Sequence, residues 1–239
     1  MWFLIRFRQV VFFYNKDMFE EYGVEVPESW EEFVEVCEVF YDAGVTPIVM
    51  GLKDGWAHVV PYSLAAANDV LLDDPDWPSK RMNGEVSFAE NEGIKSSMEK
   101  YSLMMNRYNV SDKNSMTYDQ SNEYFYNQKA PMYIMGSWVQ GLDVTTEHDF
   151  ETGFFPLPGE NGETVIPLWV NEGLSISAET EYPEIAKDFV RFFLEDEEWA
   201  KVFLETEQLF SPLKEPVEYE STALHKEVEQ YLNEMEGRP

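Results

Sequence analysis

Apolar and polar positions fall into blocks along this chain, and the blocks switch between the strand period and the helix period. Val10–Tyr14 is a run of β-branched and aromatic residues, which predicts a buried strand. Asn15 can cap a helix over Lys16–Tyr22, which Gly23 ends. Val24–Pro27 connects to Ser29-Trp30-Glu31-Glu32, a capping box with Ser29 as N-cap and Glu32 at the third helical position. The helix it opens puts Phe33, Val36, Cys37 and Phe40 on one face and Glu31, Glu35, Glu38 and Asp42 on the other. Gly44 stops it, and Pro47–Gly51 returns as a strand, so the chain opens as an α/β unit.

Lys53-Asp54-Gly55-Trp56 follows that strand at once, as a polar turn with an aromatic tip. A helix over Ala57–Asn68 comes next, with Pro61 in its first turns, where proline is tolerated. Leu71–Val86 reads as a loop. Its Asp73, Asp74 and Asp76 suit either a hard cation or plain solvation, and their spacing matches no EF-hand. Gly93–Tyr108 predicts a helix with Ile94, Met98, Tyr101 and Met105 as a core stripe, and Asn109-Val110-Ser111 fits a glycosylation sequon. A helix over Tyr118–Asn127 leads through Ala130-Pro131 into a short strand at Met132–Met135, and Gly136-Ser137-Trp138 opens another helix. Trp138 thus repeats the placement of Trp56, between a strand's carboxyl end and a helix start, where ligands of open α/β sheets bind. Taken alone, Trp138 reads as a packing anchor; two such placements in one chain are harder to assign to packing.

Further on, Phe150–Phe155 is a strand ending in Pro156-Leu157-Pro158-Gly159, and Thr164–Val170 is another, carrying Trp169. Asn171-Glu172-Gly173 interrupts before Leu174–Ser177, either as a bulge where backbone approaches a ligand or as a plain strand break. Pro183–Leu194 and Glu197–Thr206 are helices, Ser211–Lys214 connects, and Leu224–Met235 is a last charged helix.

Composition narrows the function. At 239 residues with 44% hydrophobic and 15% aromatic content, the chain is globular and holds one large or two small domains. A formal net charge of -29 repels phosphate backbones and anionic membranes, so no nucleic acid partner is expected. Cys37 is the single cysteine and sits on an apolar helix face, so it reads as a small buried hydrophobe. His58, His148 and His225 show no metal-ligand spacing, and no phosphate loop, dinucleotide fingerprint or nucleophile elbow occurs. No catalytic residue, metal or cofactor is therefore assigned. Paired carboxylates for glycoside hydrolysis remain open in so acidic a chain. No stretch approaches the roughly 20 apolar residues of a membrane span, and the amino terminus lacks a signal-peptide pattern.

An ordered set of motifs resembles the sugar-binding members of the extracellular solute-binding protein family, which feed ABC importers. The set comprises Phe13-Tyr14-Asn15-Lys16-Asp17-Met18-Phe19 with Gly23; Val26-Pro27-Glu28-Ser29-Trp30-Glu31-Glu32-Phe33; Phe125–Met135 leading into Gly136-Ser137-Trp138; Asp149-Phe150 with Phe155–Gly159; and Asn171-Glu172-Gly173. The resemblance spans Val10 to Lys214. It implies an α/β fold of the type II periplasmic-binding kind, two lobes with an oligosaccharide held between them, and ABC transporter membrane subunits as partners. By position, Asp54, Gly55 and Trp56 resemble the sugar-contacting loop of the second lobe and Trp138 its sugar-stacking ring; Asn171 and Glu172, with Trp169 beside them, are looser matches near the hinge. Aromatic rings suit the C–H faces of sugars, and carboxylates and amides suit their hydroxyls. Trp30, in a first helical turn, stays a packing residue.

The resemblance also implies a departure. The family carries about a hundred residues, roughly one domain, ahead of the Tyr-Asn-Lys-Asp segment, and this chain begins almost at that segment. Residues 1–9 match poorly, 10–173 would form the second lobe, 174–211 an incomplete piece of the first, and 212–239 a hinge return and terminal helix. Such a chain is expected to bind sugar weakly or not at all, and to self-associate through its incomplete first lobe if Phe189, Phe192 and Phe193 are exposed. The family's location is extracellular, either membrane-anchored as a lipoprotein or periplasmic. A glycoside hydrolase and a ligand-free interaction fragment are the competing readings.

Overall fold

The computed structural model describes residues 2–208 and 217–236, and the side chains of 2–8, 168–173, 194, 235 and 236 lie outside the description. The predicted connector Ser211–Lys214 also lies outside it. The chain divides into two compact units.

The larger unit comprises Val10–Gly136 and His148–Pro167. It is built on the second half of β1 (Trp2–Asn15). Asn15 caps α1 (Lys16–Tyr22) by accepting the Met18 N–H at 2.9 Å, and Gly23 ends it at φ 66°, a left-handed conformation that favours glycine. In α2 (Trp30–Asp42) Ser29 accepts from the Glu32 N–H. The Glu32 carboxylate reaches one residue past the expected partner, to the Glu28 N–H at 2.7 Å. Phe33, Val36, Cys37 and Phe40 are buried, as their spacing predicts. They meet the sheet in an aromatic core: Phe12 stacks on Phe155 at 5.1 Å and lies 5.0 Å from Phe33, and Phe19 joins Tyr14 and Phe40. Each such buried ring contributes about 1.5–3 kcal/mol of apolar burial.

Two-residue β2 (Ile48–Val49) pairs in parallel with β3 (Met132–Gly136), while β1 pairs antiparallel with β3 and with β4 (Thr152–Phe155), in the order β2-β3-β1-β4. The helices between β2 and β3 are α3 (Val59–Ala66), α4 (Trp77–Met82), α5 (Glu92–Leu103) and α6 (Tyr118–Tyr126). Wider π-type turns extend α3 over Ala67–Leu71 and α5 over Met104–Tyr108.

Residues 164–167, expected to begin a strand, are irregular here, and the strand starts only at Leu168. The predicted loop Leu71–Val86 contains α4, because Trp77 is buried against Val70 and Ile94 and Pro78 sits in the helix's first turn, where its missing N–H costs nothing. Asp74 is paired there with Lys80 at 2.6 Å. On α5 the buried face is rotated: Met98 is 49% exposed, whereas Ser97 and Lys100 are buried. Lys100 reaches Asp69 at 2.6 Å and Glu160 at 2.9 Å and lies over the Trp30 ring, which makes a charged residue tolerable there. Trp30 is accordingly a packing residue, stacked on Phe33 at 5.4 Å.

The smaller unit comprises the described parts of Met1–Gln9, Ser137–Glu147 and Leu168–Pro239. The first half of β1 pairs antiparallel with β5 (Leu168–Ser175), so the strand begins well before the predicted Val10. The backbone of β5 runs through Asn171-Glu172-Gly173 without a break, with register shifts on both sides of the Arg6–Glu172 pair. The helices are α7 (Val139–Thr145), α8 (Pro183–Glu195), α9 (Glu197–Glu207) and α10 (Ala223–Glu236). Trp199 and Phe203 of α9 stack at 5.9 Å, and Phe193 of α8 meets both rings at a steep angle, 5.4 Å from each. Among the described residues no helix is long and apolar enough to cross a membrane.

Candidate functional site

In the larger unit the predicted acidic and aromatic contact residues Asp54, Gly55 and Trp56 lie beyond β2. That edge is held by side chains in place of a longer strand. The Asn109 amide accepts from the Met50 N–H and donates to the Met50 C=O, both at 2.9 Å, and Ser121 Oγ accepts the Gly51 N–H at 2.7 Å. Asn109 is buried and fully engaged, so the predicted sequon has a structural use instead. Gly51 must lack a side chain, since a Cβ would come within 2.6 Å of Met116 O and 2.7 Å of Thr117 O.

The backbone then turns through a 3₁₀ segment, Gly55–His58. Asp54 Oδ2 accepts the Tyr118 N–H at 2.8 Å, which ties the turn to the start of α6. Trp56 is 48% exposed, and its ring lies 5.7 Å from that of Tyr118. Asp54, Gly55 and Trp56 are thus brought together with a residue that sequence reasoning missed, Tyr118. Its signal, an aromatic residue just after the Thr117 cap, points nowhere until the fold is known. Beside them an apolar recess of about 260 Å³ is lined by His58, Val59, Tyr62, Met98 and Tyr101, with His58 Nδ1 2.9 Å from the Tyr101 hydroxyl. Two aromatic faces beside a carboxylate and an apolar recess can grip a neutral polar ligand with flat C–H faces.

In the smaller unit Trp138 is the partly exposed N-cap residue of α7 and follows β3 by two residues, as the sequence predicts. Trp169, Asn171 and Glu172 are placed on β5 by their backbone, and their side chains lie outside the described residues. Cys37 is buried, and burial, with Glu38 nearby, pushes its thiol pKa up, away from nucleophile chemistry. Among the described residues no group of three or more His, Cys, Asp or Glu side chains could hold a metal ion.

Comparison with known proteins adds to this geometry. A family model described as bacterial extracellular solute-binding protein matches residues 5–198. A multiple sugar-binding protein of Streptococcus mutans is 29% identical over 189 residues, covering 75% of this chain and 44% of that protein. An uncharacterised ABC transporter extracellular-binding protein of Pyrococcus horikoshii is 26% identical over 213 residues, covering 87% and 44%. The chain therefore spans less than half the length of these relatives. A solved chitin oligosaccharide binding protein superposes with a TM-score of 0.85 at 21% identity, over 97% of this chain and 58% of that one. The likeness establishes the fold as α/β of the type II periplasmic-binding kind, of which the chain covers part.

Proposed function

Because the chain belongs to the bacterial extracellular solute-binding protein family, we propose that it recognises an oligosaccharide and serves in its delivery to the membrane subunits of an ABC importer. The observation that carries this reading is the Trp56–Tyr118 aromatic pair beside Asp54, at the turn where the resemblance expects sugar contacts. The larger unit is assigned to the second lobe. Trp138 is a ring for a sugar face, and Asn171 and Glu172, with Trp169, are polar and aromatic contacts near the hinge. The protein works outside the cytoplasm, lipid-anchored or periplasmic, and captures its ligand without covalent chemistry. As the chain spans 44% of its relatives' length, it is expected to supply part of such a site and to bind weakly by itself. Calorimetric titration with a panel of neutral oligosaccharides should give weak heats that vanish in Trp138→Ala. Heats unchanged by that substitution would remove Trp138 from the site, and release of shorter sugars on incubation would favour a glycoside hydrolase.

A second reading, self-association, is favoured by one observation. Of the three rings expected there, Phe189 and Phe192 of α8 are 58% and 50% exposed, with Ile185 beside them at 68%, whereas Phe193 is turned inward against Trp199 and Phe203. Sedimentation velocity should show a concentration-dependent dimer that Phe189→Ser weakens; a monomer at all concentrations would dismiss it.

A further inference from the structure

Trp138 rests on a chain of buried polar groups that the sugar reading does not use. The Ser137 N–H donates to the Gln9 carbonyl at 2.9 Å, and Ser137 Oγ accepts the Gln9 N–H at 3.3 Å. The Ser137 carbonyl accepts twice from Gln140, from its backbone N–H at 3.2 Å and from Nε2 at 3.1 Å. With Nε2 turned to that carbonyl, Gln140 Oε1 faces His225 Nδ1 at 3.2 Å. His225 Nδ1 also lies 3.1 Å from the Gln208 carbonyl, which can only accept. Nδ1 therefore carries the proton, and Nε2, 2.8 Å from the Tyr219 hydroxyl, accepts. Gln9, Ser137, Gln140, Gln208 and His225 are all at most 4% exposed.

The carbonyl of Ser137 and the N–H of Trp138 share one peptide plane. Two donors from Gln140 on that carbonyl fix the plane, and the plane sets the direction in which the Trp138 side chain leaves the backbone. Gln208 is anchored in turn: its Nε2 donates to the carbonyls of Glu205 and Glu220, and its Oε1 accepts the Thr222 N–H. Gly141 completes the seat, since a Cβ there would come 3.1 Å from Glu207 Cα at the end of α9. A buried polar chain costs desolvation that apolar packing would avoid, and what it gives in return is a single fixed geometry.

We propose that Gln140 and His225 are positioning residues for Trp138, holding its indole in one orientation through the Ser137 carbonyl. This inference rests on the reading of Trp138 as a ligand-facing ring, and its test separates the two. The full chain labelled with 5-fluorotryptophan would be followed by fluorine NMR, with Trp138 assigned by Trp138→Phe. Gln140→Leu removes both side-chain ends of the relay; Gln140→Glu keeps an acceptor for His225 but removes the side-chain donor to Ser137, and the backbone N–H stays in both. Both should shift or split the Trp138 signal more than that of any other indole, with the far-ultraviolet circular dichroism unchanged. Tyr219→Phe, which removes the hydroxyl facing His225 Nε2 and leaves the Gln140 side chain intact, should leave it in place. A Trp138 signal that stays put in Gln140→Glu overturns the proposal, and that variant serves if Gln140→Leu fails to fold. If the wild-type chain binds no sugar while the signal moves as expected, the ligand reading fails and the relay stands.

Discussion

Replacing Asn109 by Ala tests whether one side chain holds the β2 edge on which the Asp54–Trp56 turn is built. The amide satisfies both backbone groups of Met50, at 2.9 Å each, and Met50 is fully buried, so water cannot take its place without opening the unit. Leaving a buried N–H and a buried C=O unpaired costs about 1–3 kcal/mol each, or about 2–5 kcal/mol together, allowing for some relaxation. With a urea dependence of about 2 kcal/mol per molar for a domain of this size, the unfolding midpoint should fall by about 1–2.5 M. The assay is urea unfolding followed by tryptophan fluorescence and circular dichroism, with Ser111→Ala as the control. That control also destroys the sequon but leaves the clamp intact, and as a surface change it should stay within about 0.5 kcal/mol of wild type. A loss below about 1 kcal/mol in Asn109→Ala, less than one unpaired buried group costs, would mean that the amide does not hold the Met50 backbone.

Other consequences follow from equally local features. Gly51→Ala should cost about 1–3 kcal/mol by overpacking, because the backbone oxygens of Met116 and Thr117 cannot swing away; a neutral effect in thermal unfolding would contradict this. The Cys37 thiol should react with a disulfide reagent at pH 8 only as fast as the unit opens, and burst labelling of native protein would contradict its burial. Burial lowers the His225 pKa below its ordinary 6.5, although the Gln208 carbonyl and Glu229 act in the opposite direction. The unfolded chain therefore takes up the proton first: the stability is fully present above pH 6.5 and is lost as pH falls from there through the lower folded value. Urea unfolding at pH 7.5 and 5.5 should show a smaller difference for His225→Phe than for wild type; equal differences would place the titration elsewhere.

Local signals in the sequence carried further than long-range ones. The Asn15, Ser29 and Gly23 caps and the buried face of α2 were legible because each is decided within a few residues. The Asn109 clamp, the Asp54 cap on α6 and the His225–Gln140 contact join residues 59, 64 and 85 positions apart, and spacing along the chain says nothing about them. Helix α4 was hidden by its proline and aspartates, because composition registers a loop while the burial of Trp77 decides otherwise. Met98 misled for a related reason: its stripe has helical spacing, but the Lys100–Asp69 pair turns the other face inward. Of the candidate site, the sequence placed Trp56 and Trp138 at their strand ends, and it missed Tyr118.

Recognition of a sugar by its C–H faces can be observed by saturation-transfer NMR, which detects millimolar binding. Neutral oligosaccharides of differing linkage would be presented to the intact chain, with aromatic protein protons saturated. The expected result is transfer to ring C–H protons of at least one sugar, reduced in both Trp56→Ala and Trp138→Ala. No transfer to any sugar, or transfer that both substitutions leave unchanged, would contradict it.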